Sequence, residues 1–127
     1  MQNAESASRM NSLFFRIAAA LCFLAVALGA FGAHALKGTL QTNATTEVWK
    51  TAVLYHFVHA IALLVLATLP AASRVASSLF VAGIIIFNGS LYLLALTNIS
   101  RLGAITPLGG LCFLAGWVCL VIWPPSS

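Results

Sequence analysis

The sequence predicts an all-α polytopic membrane protein, an antiparallel bundle of four transmembrane helices. Three observations carry that reading. The 127 residues are 61% hydrophobic and 6% charged, whereas a soluble domain carries roughly a quarter of its residues charged and a disordered chain has low hydrophobicity. The fixed charges Glu5, Arg9, Arg16, Lys37, Glu47, Lys50, Arg74 and Arg101 leave charge-free stretches of 20, 23, 26 and 26 residues, each near or above the ~20 that cross about 30 Å of hydrocarbon as a helix. Four such spans use almost the whole chain, which leaves no room for a water-soluble catalytic domain, so no enzyme is expected.

Residues 1–12 are polar and without hydrophobic period, and are expected as a short disordered lead. The first span follows at about 13–36. Arg9, Arg16 and Ala33-His34-Ala35 imitate a signal peptide, but the apolar run from Ile17 to Ala33 exceeds the usual ~7–15 residue signal core. Within it Ala25, Gly29 and Ala33 recur every fourth residue, a ridge that lets another helix approach closely. Residues 37–46 carry Gly38, Gln41, Asn43 and several threonines and read as a polar turn.

The second span is placed at about 47–69. Thr46 suits a cap, Glu47 the positive end of the helix dipole, and Trp49 the headgroup level. Leu69-Pro70 ends it, and the short link 71–74 forces the third span, about 75–96, to return as a hairpin partner. The fourth is placed at about 104–123. Thr106-Pro107 suits an N-cap and first helical position, so residues 102–105 are expected as irregular backbone or a kinked turn, with 124–127 as a C-terminal tail.

The polar groups in these spans lie in one layer. His34 ends helix one, Tyr55, His56 and His59 lie early in helix two, Asn88, Ser90 and Tyr92 are central or late in helix three, and Thr106 opens helix four. An unsatisfied polar group in hydrocarbon costs several kcal/mol, so four helices offering them at one depth point to a shared cluster or a water-filled vestibule. The candidate cluster is His34, Tyr55, His59, Asn88, Ser90, Tyr92 and Thr106. His59 lies near the midplane, with Tyr55 one turn away on the same face and Asn88 or Tyr92 available from helix three.

His56 and His59, three apart on one face, are compatible with a metal site, a haem ligand pair, a proton or quinone contact, or hydrogen bonds that hold helices together. The only acids are Glu5 and Glu47, so a carboxylate-supported metal site is unavailable; no catalytic residue, metal ligand or cofactor is assigned. Asn88 either lines a path or fixes helix register. Gly109 and Gly110 after Thr106-Pro107 either expose N–H groups to an anion or allow close packing. Gly29, Gly32, Pro107, Gly109, Gly110 and Gly116 are the helix-packing candidates, and Trp117 is read as packing. Cys22, Cys112 and Cys119 lie inside spans, an odd count without paired spacing, and read as small apolar residues.

The net charge is +4, but the basic residues lie singly at span ends, where they anchor helices to headgroups. Nucleic acid is not an expected partner. The bilayer is, with other membrane subunits or a second copy as further candidates.

Several strings follow one another in order: Gly29-Ala30-Phe31-Gly32-Ala33-His34, Trp49-Lys50-Thr51-Ala52-Val53 with Tyr55 and His59-Ala60, Phe87 with Gly89-Ser90-Leu91-Tyr92, Thr106-Pro107-Leu108-Gly109-Gly110, and Gly116-Trp117. Over about residues 11–123 the chain resembles the domain-of-unknown-function 423 family of small membrane proteins, with bacterial inner-membrane members and an animal mitochondrial one, transmembrane protein 256. The resemblance implies a four-helix membrane-embedded fold and no established activity. It places the family's polar residues on His34, Tyr55, His59, Ser90, Tyr92 and Thr106; His56 stands where glutamine is more usual and Asn88 where serine is. That departure weakens a shared metal motif at His56 and His59.

Three functions follow as expectations: a structural or accessory bundle, a small-solute or proton-handling protein using the one-sided polar layer, and a haem- or quinone-contacting redox subunit. The expected location is the bacterial plasma (inner) membrane, or the mitochondrial inner membrane in a eukaryote. Lys and Arg tie three to three between the two sides, and the arginines ahead of helix one place both termini in the cytoplasm.

Overall fold

The computed structural model describes residues 1–125; of the tail expected at 124–127, residues 126 and 127 lie outside the described residues. Among the described residues four helices are long and apolar enough to cross a membrane, as the charge-free stretches require. α1 is Gln2–Ala33, a short α2 is Lys37–Thr42, and α3 is Thr46–Thr68. The third span comprises α4, Arg74–Gly83, a π-helical turn, Ile84–Asn88, and α5, Gly89–Thr97. A 3-10 turn, Ser100–Ala104, then leads into α6, Thr106–Ile122.

The first difference from expectation is at the N-terminus, where residues 2–12 continue α1 instead of forming an irregular lead. Extending a helix that the apolar span has already nucleated fixes one residue per bond gained. Nothing in 2–12 is Gly or Pro. Glu5 sits in the first turn and pairs with Arg9 at 2.6 Å, the i,i+4 order that suits the helix dipole. Asn11 also donates from Nδ2 to the Leu69 carbonyl at 3.4 Å, tying this segment to the α3–α4 link.

The second is the connection after α1, which winds into α2 because Leu40 is buried against Trp49 and Ala95. Its exit is held from the third span. Asn43 Nδ2 donates to the carbonyls of Ala95 and Leu96 at 3.0 and 3.1 Å, and the buried Thr45 hydroxyl donates to Ala95 at 2.7 Å. Thr46 is therefore the first helical residue and Thr45 its cap, with the Thr45 side chain turned to the neighbouring helix. α3 ends where Leu69 becomes extended ahead of Pro70, and Ser73 caps α4 by accepting from the Ala76 N–H at 3.2 Å. At the far end of α5, Asn98 adopts a left-handed conformation and its N–H closes on the Leu94 carbonyl. Residues 102–105, expected as irregular or kinked, lie in the 3-10 turn and its junction with α6. Thr106 and Pro107 fall one position later than expected, inside the helix.

α3 packs against α1 on one side and against α5 and the π turn on the other, while α6 packs against α4 and the π turn. One core gathers Ala60, Leu66, Ala76, Phe80, Ile84 and Phe113; a second, beneath the α1–α3 connection, holds Leu40, Trp49 and Ala95. Phe23, Val26, Val65, Ile85, Leu111, Leu114 and Val121 point outward, as helices apolar on all sides do when their solvent is lipid.

Three glycines set how closely α6 meets the third span. A Cβ on Gly109 would overlap the backbone nitrogen of Phe87, lying 2.7 Å from its Cα. One on Gly116 would come within 2.6 Å of the Phe80 ring, and one on Gly83 would enter the Phe113 ring. Each phenylalanine thus fills the space a side chain on the facing helix would take, and the Gly109 approach falls on the π turn itself. Gly32 likewise leaves room for the Trp49 indole. Gly29 meets Val53 at an ordinary 3.4 Å, Gly110 meets only the Phe87 ring at 3.8 Å, and Pro107 is exposed.

Candidate functional site

The polar layer is built mainly from one face of α3. Ala52, His56, His59 and Ala60 are buried there, facing the third and fourth spans, while Tyr55, between them, is 42% exposed. Polar side chains from the other helices meet this face in separate pairs.

His59 is engaged at both ring nitrogens. Nδ1 lies 2.8 Å from the Tyr55 carbonyl, and Nε2 lies 3.0 Å from the indole Nε1 of Trp117. A carbonyl only accepts and an indole N–H only donates, so the proton sits on Nδ1 and Nε2 is the acceptor. The ring is sandwiched onto Phe113, centroids 3.6 Å apart and 12° from parallel, with Phe80 edge-on at 5.4 Å. Neither nitrogen is open to a metal or haem iron without breaking one of these bonds. Trp117, read from sequence as packing, is therefore the partner that sequence reasoning missed. Tyr55 reaches His59 through its backbone carbonyl, and its own ring lies on Phe87 at 4.9 Å.

One turn earlier, His56 Nδ1 lies 3.0 Å from the Tyr92 hydroxyl, and Tyr92 in turn packs on Trp49 at 4.8 Å. Trp49 donates from Nε1 to the Leu28 carbonyl of α1 at 2.9 Å and is buried between the helices. Asn88, at the end of the π turn and 1% exposed, donates from Nδ2 to the Ala52 carbonyl at 2.6 Å. Ser90 and Thr106 share a hydrogen bond at 2.7 Å; each hydroxyl has one proton, so with Ser90 donating to the Phe87 carbonyl at 2.9 Å, Thr106 donates to Ser90 and the Leu102 carbonyl, at 3.4 Å, is its weaker alternative. Among the described residues Asn88 Oδ1 is buried without a hydrogen-bond partner; His56 Nε2 makes no bond of good geometry, although the Leu21 backbone of α1 lies beside the ring.

Of the seven cluster residues expected from sequence, five, His59, Asn88, Ser90, Tyr92 and Thr106, enter separate hydrogen-bonded pairs between helices, not one joined network, and Tyr55 lends His59 only its backbone carbonyl. His34 does not join them: it is exposed at the end of α1, with its backbone N–H closing on Ala30 and Phe31. Among the described residues no three His, Cys, Asp or Glu side chains gather as a metal-holding group. At Gly109 the close-packing alternative is the one seen, the Phe87 backbone lying where a side chain would be.

Four membrane-capable helices with a buried interhelical polar layer define a small polytopic α-helical membrane protein. Residues 28–110 match the model of a family described as a protein of unknown function, DUF423. The chain is 45% identical over 116 residues to the UPF0382 membrane protein YwdK of Bacillus subtilis, covering 87% of this chain and 94% of that protein. It is 44% identical over 113 residues to the UPF0382 membrane protein SH2409 of Staphylococcus haemolyticus, covering 85% and 92%, and 42% identical over 114 residues to SAB0533 of Staphylococcus aureus, covering 87% and 93%. The chain belongs to the DUF423 family of membrane proteins. No solved structure matches it.

Proposed function

We propose that the chain is a non-catalytic accessory bundle of the bacterial plasma membrane, assembling laterally with other membrane subunits or with itself. Its relatives are bacterial membrane proteins, and nothing in their names points to an enzymatic reaction. The observation that carries the reading is the pairing of the polar layer. His59 with Trp117, His56 with Tyr92, Asn88 with Ala52 and Ser90 with Thr106 each join two helices, which is the use of polar groups as glue between membrane helices. A groove lined by α1, α2 and α3 lies apart from these pairs. Mild-detergent extraction of the tagged chain, followed by a native gel and mass spectrometry, tests this. Co-migration with other membrane subunits or as an oligomer is expected; a lone monomer contradicts it.

A proton- or solute-handling role is favoured by one observation, the buried Asn88 Oδ1, which has no hydrogen-bond partner among the described residues. Asn88→Leu separates the readings. As a packing residue it gives up one hydrogen bond and relieves one unpaired acceptor, so its net cost is under about 1 kcal/mol and the bundle keeps its partners. In a handling role the same variant abolishes dye-reported flux in proteoliposomes while the bundle stays folded.

A further inference from the structure

A groove of about 700 Å³ runs between α1 and α3, away from the polar pairs. Its floor is open because α1 presents small residues there: Gly29 reaches no closer than ordinary contact with Val53, and Ala33 is exposed beside it. Its α3 wall includes the exposed, apolar Phe57. The lining extends along α3 from Thr46 to Phe57, which at 1.5 Å per residue is about 17 Å. Half of a ~30 Å hydrocarbon core is about 15 Å, so the groove matches one leaflet in depth.

The groove is polar at one end only. Lys37, Gln41 and Lys50 line its mouth at the α1–α3 connection. Lys37 enters no ion pair among the described residues, and Lys50 pairs with Glu47 at 2.8 Å, with both side chains largely in solvent at 66% and 83% exposure. So exposed a pair is worth little, and it leaves the mouth with a net positive charge.

We propose that this groove is a binding site for one anionic phospholipid, with its phosphodiester at Lys37, Gln41 and Lys50 and an acyl chain lying along Gly29 and Ala33. The charge of the mouth selects the anionic class, since a zwitterionic headgroup returns a cation to the two lysines. A lysine near an anionic lipid surface supplies about a fivefold preference. The site is independent of whether the chain docks on partners.

The test is native mass spectrometry of the full chain, released from detergent micelles doped with equal phosphatidylglycerol and phosphatidylcholine. One retained lipid per chain is expected, with phosphatidylglycerol favoured about fivefold or more. Lys37→Gln with Lys50→Gln, both at exposed positions, brings that ratio to near one. Ala33→Leu, which fills the floor, lowers retention of both lipids; if that variant fails to fold, the lysine variant decides. The proposal is overturned by equal retention of the two lipids, by an unchanged ratio in the lysine variant, or by no retained lipid. It is overturned equally if Ala33→Leu abolishes a dimer while leaving the retention of both lipids as in the wild type.

Discussion

Replacing His59 by Leu and Trp117 by Phe, singly and together, measures the bond at the centre of the polar layer. The Nε1–H···Nε2 distance is 3.0 Å and the imidazole also stacks on Phe113. Hydrogen bonds between membrane helices average about 0.6 kcal/mol and rarely exceed about 2, and an aromatic stack contributes about 0.5–1.5. His59→Leu loses both and leaves the indole N–H unpaired, so it costs about 1–3 kcal/mol. Trp117→Phe loses only the bond and costs about 1 kcal/mol. The double variant should cost less than the sum by about 0.6–2 kcal/mol, because the stack counts once and the bond is removed once. Unfolding in mixed micelles of increasing SDS fraction, followed by far-UV circular dichroism, reads all four proteins. Single effects that add to within about 0.3 kcal/mol would refute the pairing. His59→Gln adds a functional control: with the bundle folded, unchanged partner retention supports glue, and loss of a cellular phenotype supports handling.

Three further outcomes are expected. Gly109→Ala should destabilise the bundle by about 2–3 kcal/mol, because its methyl meets the Phe87 backbone, which has no rotamer to yield; the same SDS titration reads it. Ala44→Gly should stabilise by about 1 kcal/mol, since Ala44 is held at φ 55°, where an L side chain is strained and glycine is not; a rightward shift of the SDS midpoint is the sign to look for. A C-terminal alkaline phosphatase fusion should be inactive in a bacterial host and a C-terminal fluorescent protein bright, placing both termini in the cytoplasm; the reverse pattern overturns the orientation.

The four spans were legible because charge is excluded from hydrocarbon, and eight fixed charges mark their limits in the sequence. The pairing of the polar layer was not, because which side chains meet depends on the rotation and height of one helix against another. Tyr55 offered a hydroxyl on the face of His59, yet the structure uses its carbonyl, and the donor to Nε2 comes from Trp117, 58 residues away. Gly83 carried no sequence signal, since its role is defined only by the Phe113 ring that occupies its space. The π turn was hidden likewise: it coincides with the bond from Asn88 to Ala52 and the approach of Gly109, both long-range. The N-terminal helix was misread because residues 2–12 lack a hydrophobic period, although their Glu5–Arg9 spacing and freedom from Gly and Pro permit a helix.

The most direct test of a polar layer consumed in helix–helix bonds is ¹⁵N solid-state NMR of histidine- and tryptophan-labelled protein in lipid bilayers. His59 should appear as the Nδ1–H tautomer, with a bare Nε2 in dipolar contact with the Trp117 indole N–H, and that N–H should resist exchange in deuterated buffer. A His59 in the Nε2–H tautomer, or an indole N–H that exchanges within seconds, would contradict the account and point instead to a hydrated path through the bundle.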